Sequence, residues 1–254
     1  MFEHKLKTIM GEVSVAIDGE DSEEIIVFLH GIYLDKTIWE DFGHKLTGKT
    51  HIYVDMPAHG KSSDVGFDWS LDDCVRMLME ILNRFNVQRC ILIGHCWGAM
   101  TALRAAISFP ERFVALGLFN MPHQPVSSLG KIGIRLQKQM LKYPHIFAQH
   151  AAKTLYAPAY LELHPEATEK MEARITARPA LEISRAIDAV LLNVDDAKPL
   201  LKDLRVPALA IVGESDYVGS PPAIETLMVA SGHVSPQETK AESRAAIFKV
   251  LGLA

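Results

Sequence analysis

Apolar residues follow two rhythms along this chain. Residues 4–10 and 13–18 alternate apolar and polar on either side of Gly11-Glu12, which predicts an antiparallel hairpin. Farther on they gather into short unbroken runs, Ile25–Leu29, Ile52–Val54, Ile91–Ile93, Val114–Phe119 and Ala208–Val212. A run with no polar face predicts a strand covered on both sides. Between the runs the spacing suits helices, at Thr37–Leu46, from Ser70 to Phe85, and at Ala99–Phe109 ahead of Pro110. Ser70 serves as an N-cap, with Asp73 three residues later completing a capping box. Strand and helix therefore alternate as far as Phe119, the pattern of a mostly parallel sheet with right-handed crossovers.

From Met121 to Asp195 the strand signal stops. Segments near 128–142, 144–156, 165–177 and 180–192 have helical spacing, broken by Pro144, Pro158, Pro165 and Pro179. This predicts a helical insertion lying as a cap over the carboxyl ends of the strands. The sheet resumes after Pro207, with a last strand near Thr226–Ala230 and a closing helix over Lys240–Leu251. The expected organisation is a core of residues 1–120 and 196–254 carrying a cap of residues 121–195.

Composition adds mainly exclusions. A chain of 254 residues, 48% hydrophobic and 22% charged, is ordinary for a globular protein. A net charge of −5 with no basic tract argues against nucleic acid as a partner. No apolar run approaches the roughly 20 residues that cross a bilayer, so no membrane partner is expected. The stretch Met1–Met10 has no signal-peptide core, which makes a cytoplasmic location the expectation. The 3 cysteines, Cys74, Cys90 and Cys96, suit neither a disulfide framework nor a zinc site. No metal or cofactor is called for.

The candidate chemistry lies in Gly94-His95-Cys96-Trp97-Gly98, between a predicted buried strand and a predicted helix. That is the setting of a nucleophile elbow, G-x-S-x-G, with cysteine in the serine position. Flanking glycines keep side chains out of the tight approach of strand and helix. Cys96 is expected exposed at a helix N-terminus, whose dipole favours the thiolate. Cys74, on a helical face, and Cys90, at a strand entrance, read as packing.

Together with Phe28-Leu-His-Gly31, Asp55-Met-Pro-Ala-His-Gly60, Gly213-Glu-Ser-Asp216 and Ser231-Gly-His233, the elbow resembles the α/β-hydrolase family over nearly the whole chain. The resemblance implies an eight-stranded, mostly parallel sheet flanked by helices. It also implies the chain order nucleophile, acid, histidine, here Cys96, Asp216 and His233. Asp216 follows the 208–212 strand, whereas the alternative acid position is held by the uncharged Asn120. His233 stands alone among the histidines in following Asp216. Only 17 residues separate the two (233 − 216), so a short turn around Pro221-Pro222 must replace the usual helix between them. Backbone N–H groups of Ile32 and Trp97 are the implied oxyanion donors. His95 is expected to point into the fold and His123 toward solvent or the pocket mouth.

A cysteine in this position is similar to dienelactone hydrolases, while the insertion is closer to capped esterases and carbon–carbon-bond hydrolases. The resulting expectation is a hydrolase of a small to medium hydrophobic ester, lactone or thioester, acting through an acyl-cysteine. Ile134, Phe147, Tyr156 and Tyr160 would supply the hydrophobic cap wall. An acyltransferase using the same intermediate, or a carbon–carbon-bond hydrolase, is the alternative enzyme, and a ligand receptor or partner-binding protein on the same fold the non-enzymatic one. The partner expected is a small-molecule substrate, and the chain a monomer or homodimer.

Overall fold

The computed structural model describes residues 2–254; Met1, with which the expected core segment begins, lies outside the described residues. The hairpin forms as β1 (Phe2–Thr8) and β2 (Gly11–Gly19), closed by Gly11 at φ 82° and paired Thr8 to Gly11 through Phe2 to Ile17. The unbroken runs become β3 (Ile25–Leu29), β4 (Thr50–Val54), β5 (Cys90–His95), β6 (Phe113–Phe119) and β7 (Ala208–Gly213), followed by β8 (Glu225–Val229). These eight strands make one sheet in the order β1-β2-β4-β3-β5-β6-β7-β8. β2 runs antiparallel to both of its neighbours, and β4 through β8 are joined by parallel pairings. β3, β5 and β6 are buried almost throughout, as runs lacking a polar face must be.

Two helices of the first half anchor the sheet. α2 (Leu71–Arg84) starts at the Ser70–Asp73 capping box, both of whose hydrogen bonds form, and packs Cys74, Met77 and Met79 inward. α3 (Trp97–Ser108) leaves the end of β5 almost wholly buried. The helix expected over Thr37–Leu46 is instead a 3₁₀ turn, Lys36–Trp39, and one α-helical turn, α1 (Glu40–Gly43). Gly43 ends it where a Cβ would lie 2.4 Å from the Tyr53 hydroxyl. Under this turn Trp39 meets Phe28, Phe42 and Phe119, the aromatic centre of the core.

Between β6 and β7 the chain is helical: α4 (Ser128–Gln139), α5 (Pro144–Leu155), α6 (Pro158–Leu163), α7 (Glu166–Thr176), α8 (Ala180–Ile187), a π-helical turn over Asp188–Leu192, and α9 (Lys198–Asp203). Proline opens α5 and α6, where its missing N–H is harmless. α10 (Ser235–Glu238) and α11 (Lys240–Leu251) close the chain. β6 and β7 are nonetheless neighbours, pairing Leu118 with Ala210, so the helices leave and rejoin the sheet side by side. Every parallel strand delivers its carboxyl end to the same edge, where the loops carrying the candidate residues meet. Among the described residues no helix is long and apolar enough to cross a membrane.

Candidate active site

Cys96 sits on the bend between β5 and α3 with φ 51° and ψ −110°, a backbone conformation that cysteine adopts only under constraint. The constraint is visible on both sides. A Cβ on Gly94 would lie 2.4 Å from the backbone of Gly98, and one on Gly98 would lie 2.4 Å from the Leu29 carbonyl. Glycine is required at both positions by this approach. The Cys96 N–H donates to Phe119 O (2.9 Å) and the Cys96 carbonyl accepts from Met100 N (3.0 Å), fixing the bend against β6 and the first turn of α3. The thiol thus stands at the N-terminus of α3, as its N-cap residue.

His233 arrives from the loop after β8. Its Nδ1 lies 2.9 Å from Asp216 Oδ1, at the end of β7, so the short linker around Pro221-Pro222 spans the distance. Nε2 of the ring makes no hydrogen bond of ordinary geometry, and its neighbour on that side is Cys96. Burial is the largest influence on the ring and disfavours its charge. The charge interaction with the Cys96 sulfur beside it and the hydrogen bond to Asp216 outweigh it, pushing the imidazole pKa up to about 10. Burial likewise works against Asp216, yet the hydrogen bond and charge of His233 and the Asn120 amide hold its carboxyl below the usual 3.8.

Asn120 was legible only as a residue unable to supply charge; in the structure it holds the Asp216 carboxylate. At φ 48° it donates Nδ2–H to Asp216 Oδ2 (2.7 Å) and accepts at Oδ1 from the Ser235 hydroxyl (2.5 Å). Both Asp216 oxygens are thereby engaged, one by His233 and one by Asn120. His95 points inward and bonds through Nε2 to the His233 carbonyl (2.7 Å). Burial lowers its pKa to about 3, so the neutral ring donates that bond.

The loop after β3 lies against the elbow. A Cβ on Gly31 would come within 2.9 Å of the Cys96 Cβ and 2.6 Å of His95 Nδ1, so only glycine admits this approach. Neither the Ile32 nor the Trp97 N–H donates a hydrogen bond among the described residues, leaving both amides free beside Cys96. Two neutral histidines brace the loop. His30 donates from Nδ1 to Gly31 O (2.7 Å) and accepts at Nε2 from Met56 N (2.8 Å), while His59 accepts at Nε2 from Tyr33 N (3.0 Å) and donates to Pro57 O (2.9 Å). Burial lowers both pKa values, that of His59 to about 3, which keeps one nitrogen of each ring an acceptor. Asp55 completes the brace, accepting from Lys36 N (2.9 Å), Lys36 Nζ (2.6 Å) and Lys61 N (2.9 Å).

Cys96 is not exposed as its position suggested. It is 1% accessible, as is His233. Two tyrosines stand near the sulfur: Tyr33, held at φ 63° on the loop after β3 and packed edge-on against Phe147, and Tyr217, stacked on the His233 ring at 4.8 Å. Of the four residues expected to form a hydrophobic cap wall, Phe147 and Tyr156 are buried in packing and Ile134 and Tyr160 are half-buried against the core. Cys74 and Cys90 are buried, and burial pushes both thiols up, Cys90 to about 12, so neither competes as a nucleophile. No cluster of metal-ligating side chains occurs among the described residues.

Residues 26–246 match the model of the alpha/beta hydrolase family. Among curated proteins, the chain is 32% identical over 88 residues to 2-succinyl-6-hydroxy-2,4-cyclohexadiene-1-carboxylate synthase of Salmonella typhimurium, covering 35% of this chain and 34% of that protein. It is 29% identical over 114 residues to mouse epoxide hydrolase 4, covering 42% and 31%. The matched region thus spans about a third of the length of these relatives. Solved structures agree over nearly the full chain: a thermophilic esterase from Thermogutta terrifontis (TM-score 0.84, 22% identity, 99% and 98% covered) and a hydrolase from Pseudomonas aeruginosa (TM-score 0.87, 21%, 98% and 98%) share the fold.

Proposed function

The chain belongs to the alpha/beta hydrolase family, and from that membership we propose that it is an enzyme cleaving carboxylic ester, lactone or thioester bonds of a small-molecule substrate through an acyl-cysteine. The observation that carries the reading is the convergence of Cys96, on its constrained bend, with a His233 ring held by Asp216 at 2.9 Å.

The geometry supports the following sequence. Cys96 first passes its thiol proton to His233 Nε2, whose charged form is favoured by the neighbouring sulfur and by Asp216, which leaves a thiolate as the nucleophile. The thiolate attacks the acyl carbon, and the resulting oxyanion takes hydrogen bonds from the Ile32 and Trp97 amides. As the tetrahedral species collapses, the bond to the leaving group breaks and His233 Nε2 donates its proton to that group. The acyl chain is then a thioester on Cys96 and the imidazole is neutral. His233 next takes a proton from water, whose oxygen attacks the thioester; collapse releases the acid and restores the thiolate and imidazolium. Asp216 fixes the ring tautomer and stabilises its charge throughout.

Acyl transfer to an alcohol, amine or thiol is the second reading, favoured by the burial of Cys96, which limits water at the thioester. Aryl esters, lactones and acyl thioesters assayed with intact protein and with Cys96→Ala and His233→Ala test the proposal. Each variant is expected to lose most turnover, and full turnover by Cys96→Ala overturns the covalent route. Product analysis with added acceptors separates hydrolysis from transfer.

A further inference from the structure

A nucleophile that is 1% accessible needs a way in. The helices between β6 and β7 are poorly placed to provide it by swinging away. The His233 N–H donates to Leu155 O at the end of α5 (2.7 Å), and the Glu238 carboxylate accepts from both Ala157 N and Gly232 N (2.9 Å each). Arg174 pairs with Asp35 (2.6 Å) and Arg185 with Asp64 (2.7 Å). Lifting these helices would take the support of the base with them.

Tyr217 is held far more lightly. Its ring stacks on His233 at 4.8 Å and 21°, yet the residue is 62% exposed and its hydroxyl makes no hydrogen bond among the described residues. Two residues later Gly219 takes φ 63° with open space around it. The same ring forms a wall of a cavity of about 410 Å³, within the usual size of a small-ligand pocket. Facing it are Pro122 and Val126 from the loop after β6, Val190 and Leu191 from the π-helical turn, and Val194. A π-turn is uncommon and concentrates at functional positions. No Asp, Glu, Lys or Arg lines this space, and burial lowers the pKa of its one histidine, His123. A second cavity, of about 390 Å³ on the Tyr33 side, is by contrast edged with Asp35, Glu40, Lys61, Arg174 and Arg178.

We propose that the 410 Å³ cavity is the acyl-binding site, that it takes a compact uncharged acyl group, and that the Tyr217 ring is the shutter between it and Cys96. This rests on the reading of Cys96 as the nucleophile. Turning the ring off the imidazole joins the cavity to the sulfur, so an acyl carbon bonded to Sγ can direct its chain among the valines. A carboxylate chain would find no Lys or Arg there to pair with.

Two measurements test it. Labelling of Cys96 by iodoacetamide, followed by mass spectrometry, is expected to accelerate about tenfold or more in Tyr217→Ala and to stay near the intact rate in Tyr217→Phe, since access governs a buried thiol. Unchanged labelling in Tyr217→Ala overturns the shutter. Across aryl acetate, butyrate, benzoate and hydrogen succinate, butyrate is expected to exceed succinate about a hundredfold in kcat/KM, and Val194→Phe to lower the benzoate-to-acetate ratio about tenfold. Equal use of succinate and butyrate, or an unmoved ratio, overturns the acyl site while leaving the nucleophile intact. Turnover surviving in Cys96→Ala instead defeats the nucleophile itself. If none of these esters is cleaved, chloroacetamides with a butyl or a carboxylate arm read the cavity through labelling alone. The butyl arm should react faster at Cys96 and be slowed by Val194→Phe, and parity of the two arms overturns the proposal.

Discussion

Replacing Cys96 by alanine probes the charge on His233 without touching the ring. Displacement of the imidazole from 6.5 to about 10 corresponds to about 5 kcal/mol in favour of its charged form. An exposed ion pair yields only about 0–1 kcal/mol, but His233 is 1% accessible, so solvent screening does not shrink the figure. Because the folded-state pKa lies above 6.5, the stability owed to the charged ring is complete below pH 6.5 and is lost as pH rises through about 10. Asp216, held below 3.8, contributes above that value and loses its share as pH falls through its lower folded pKa. In Cys96→Ala the largest influence, burial, persists, while the largest influence favouring charge is gone. The ring pKa should therefore fall, and the alkaline edge of stability should move to lower pH. NMR titration of His233 measures the first effect, and thermal melts between about pH 6 and about pH 10 measure the second. Titration of His233 near 6.5 in the intact protein, or at the same pH in both proteins, refutes the thiolate–imidazolium pair.

Other perturbations have equally definite outcomes. Gly31→Ala places a methyl 2.6 Å from His95 Nδ1 and 2.9 Å from the Cys96 Cβ. The displaced loop should lower kcat by about 10²–10³-fold, the effect of removing an oxyanion donor; an unaltered kcat at saturating substrate removes the Ile32 amide from the mechanism. Asn120→Ala strips a partner from both Asp216 and Ser235, and leaving buried groups unpaired should destabilise by about 1–3 kcal/mol in urea unfolding. Its kcat should fall as well, because Asp216 is then free to turn away from the base. Trp39→Ala empties the space between Phe28, Phe42 and Phe119 and should cost about 3–5 kcal/mol by the same measurement, with Cys96 still present.

The sheet was readable because parallel strands buried on both faces leave an unmistakable apolar signature, and the Ser70–Asp73 capping box fixed the start of α2. The candidate residues Cys96, Asp216 and His233 were chosen by their order on the chain, and the structure brings His233 and Asp216 together with Cys96 beside the ring. Three features were not readable. Thr37–Leu46 has helical spacing but stops at Gly43, because the contact that forbids a Cβ there comes from Tyr53 on β4. Asn120 looked like an absent acid because sequence alone does not reveal that Asp216 has a second oxygen to be held. The burial of Cys96 and the nearness of the Tyr33 and Tyr217 rings depend on segments far apart on the chain, and the left-handed backbone at Tyr33 has no signature in a residue that is not glycine.

The bond between the His233 N–H and the last carbonyl of α5 reaches beyond this one chain. Because the helices leave and rejoin the sheet at adjacent strands, transplanting a foreign helical segment onto this scaffold looks simple. Yet the graft would have to supply an acceptor in the place of Leu155 O and an amide for the Glu238 carboxylate to grip. Engineers altering the helical segment should therefore leave the α5–α6 corner untouched and vary the remaining helices, or His233 will lose the acceptor that fixes its backbone.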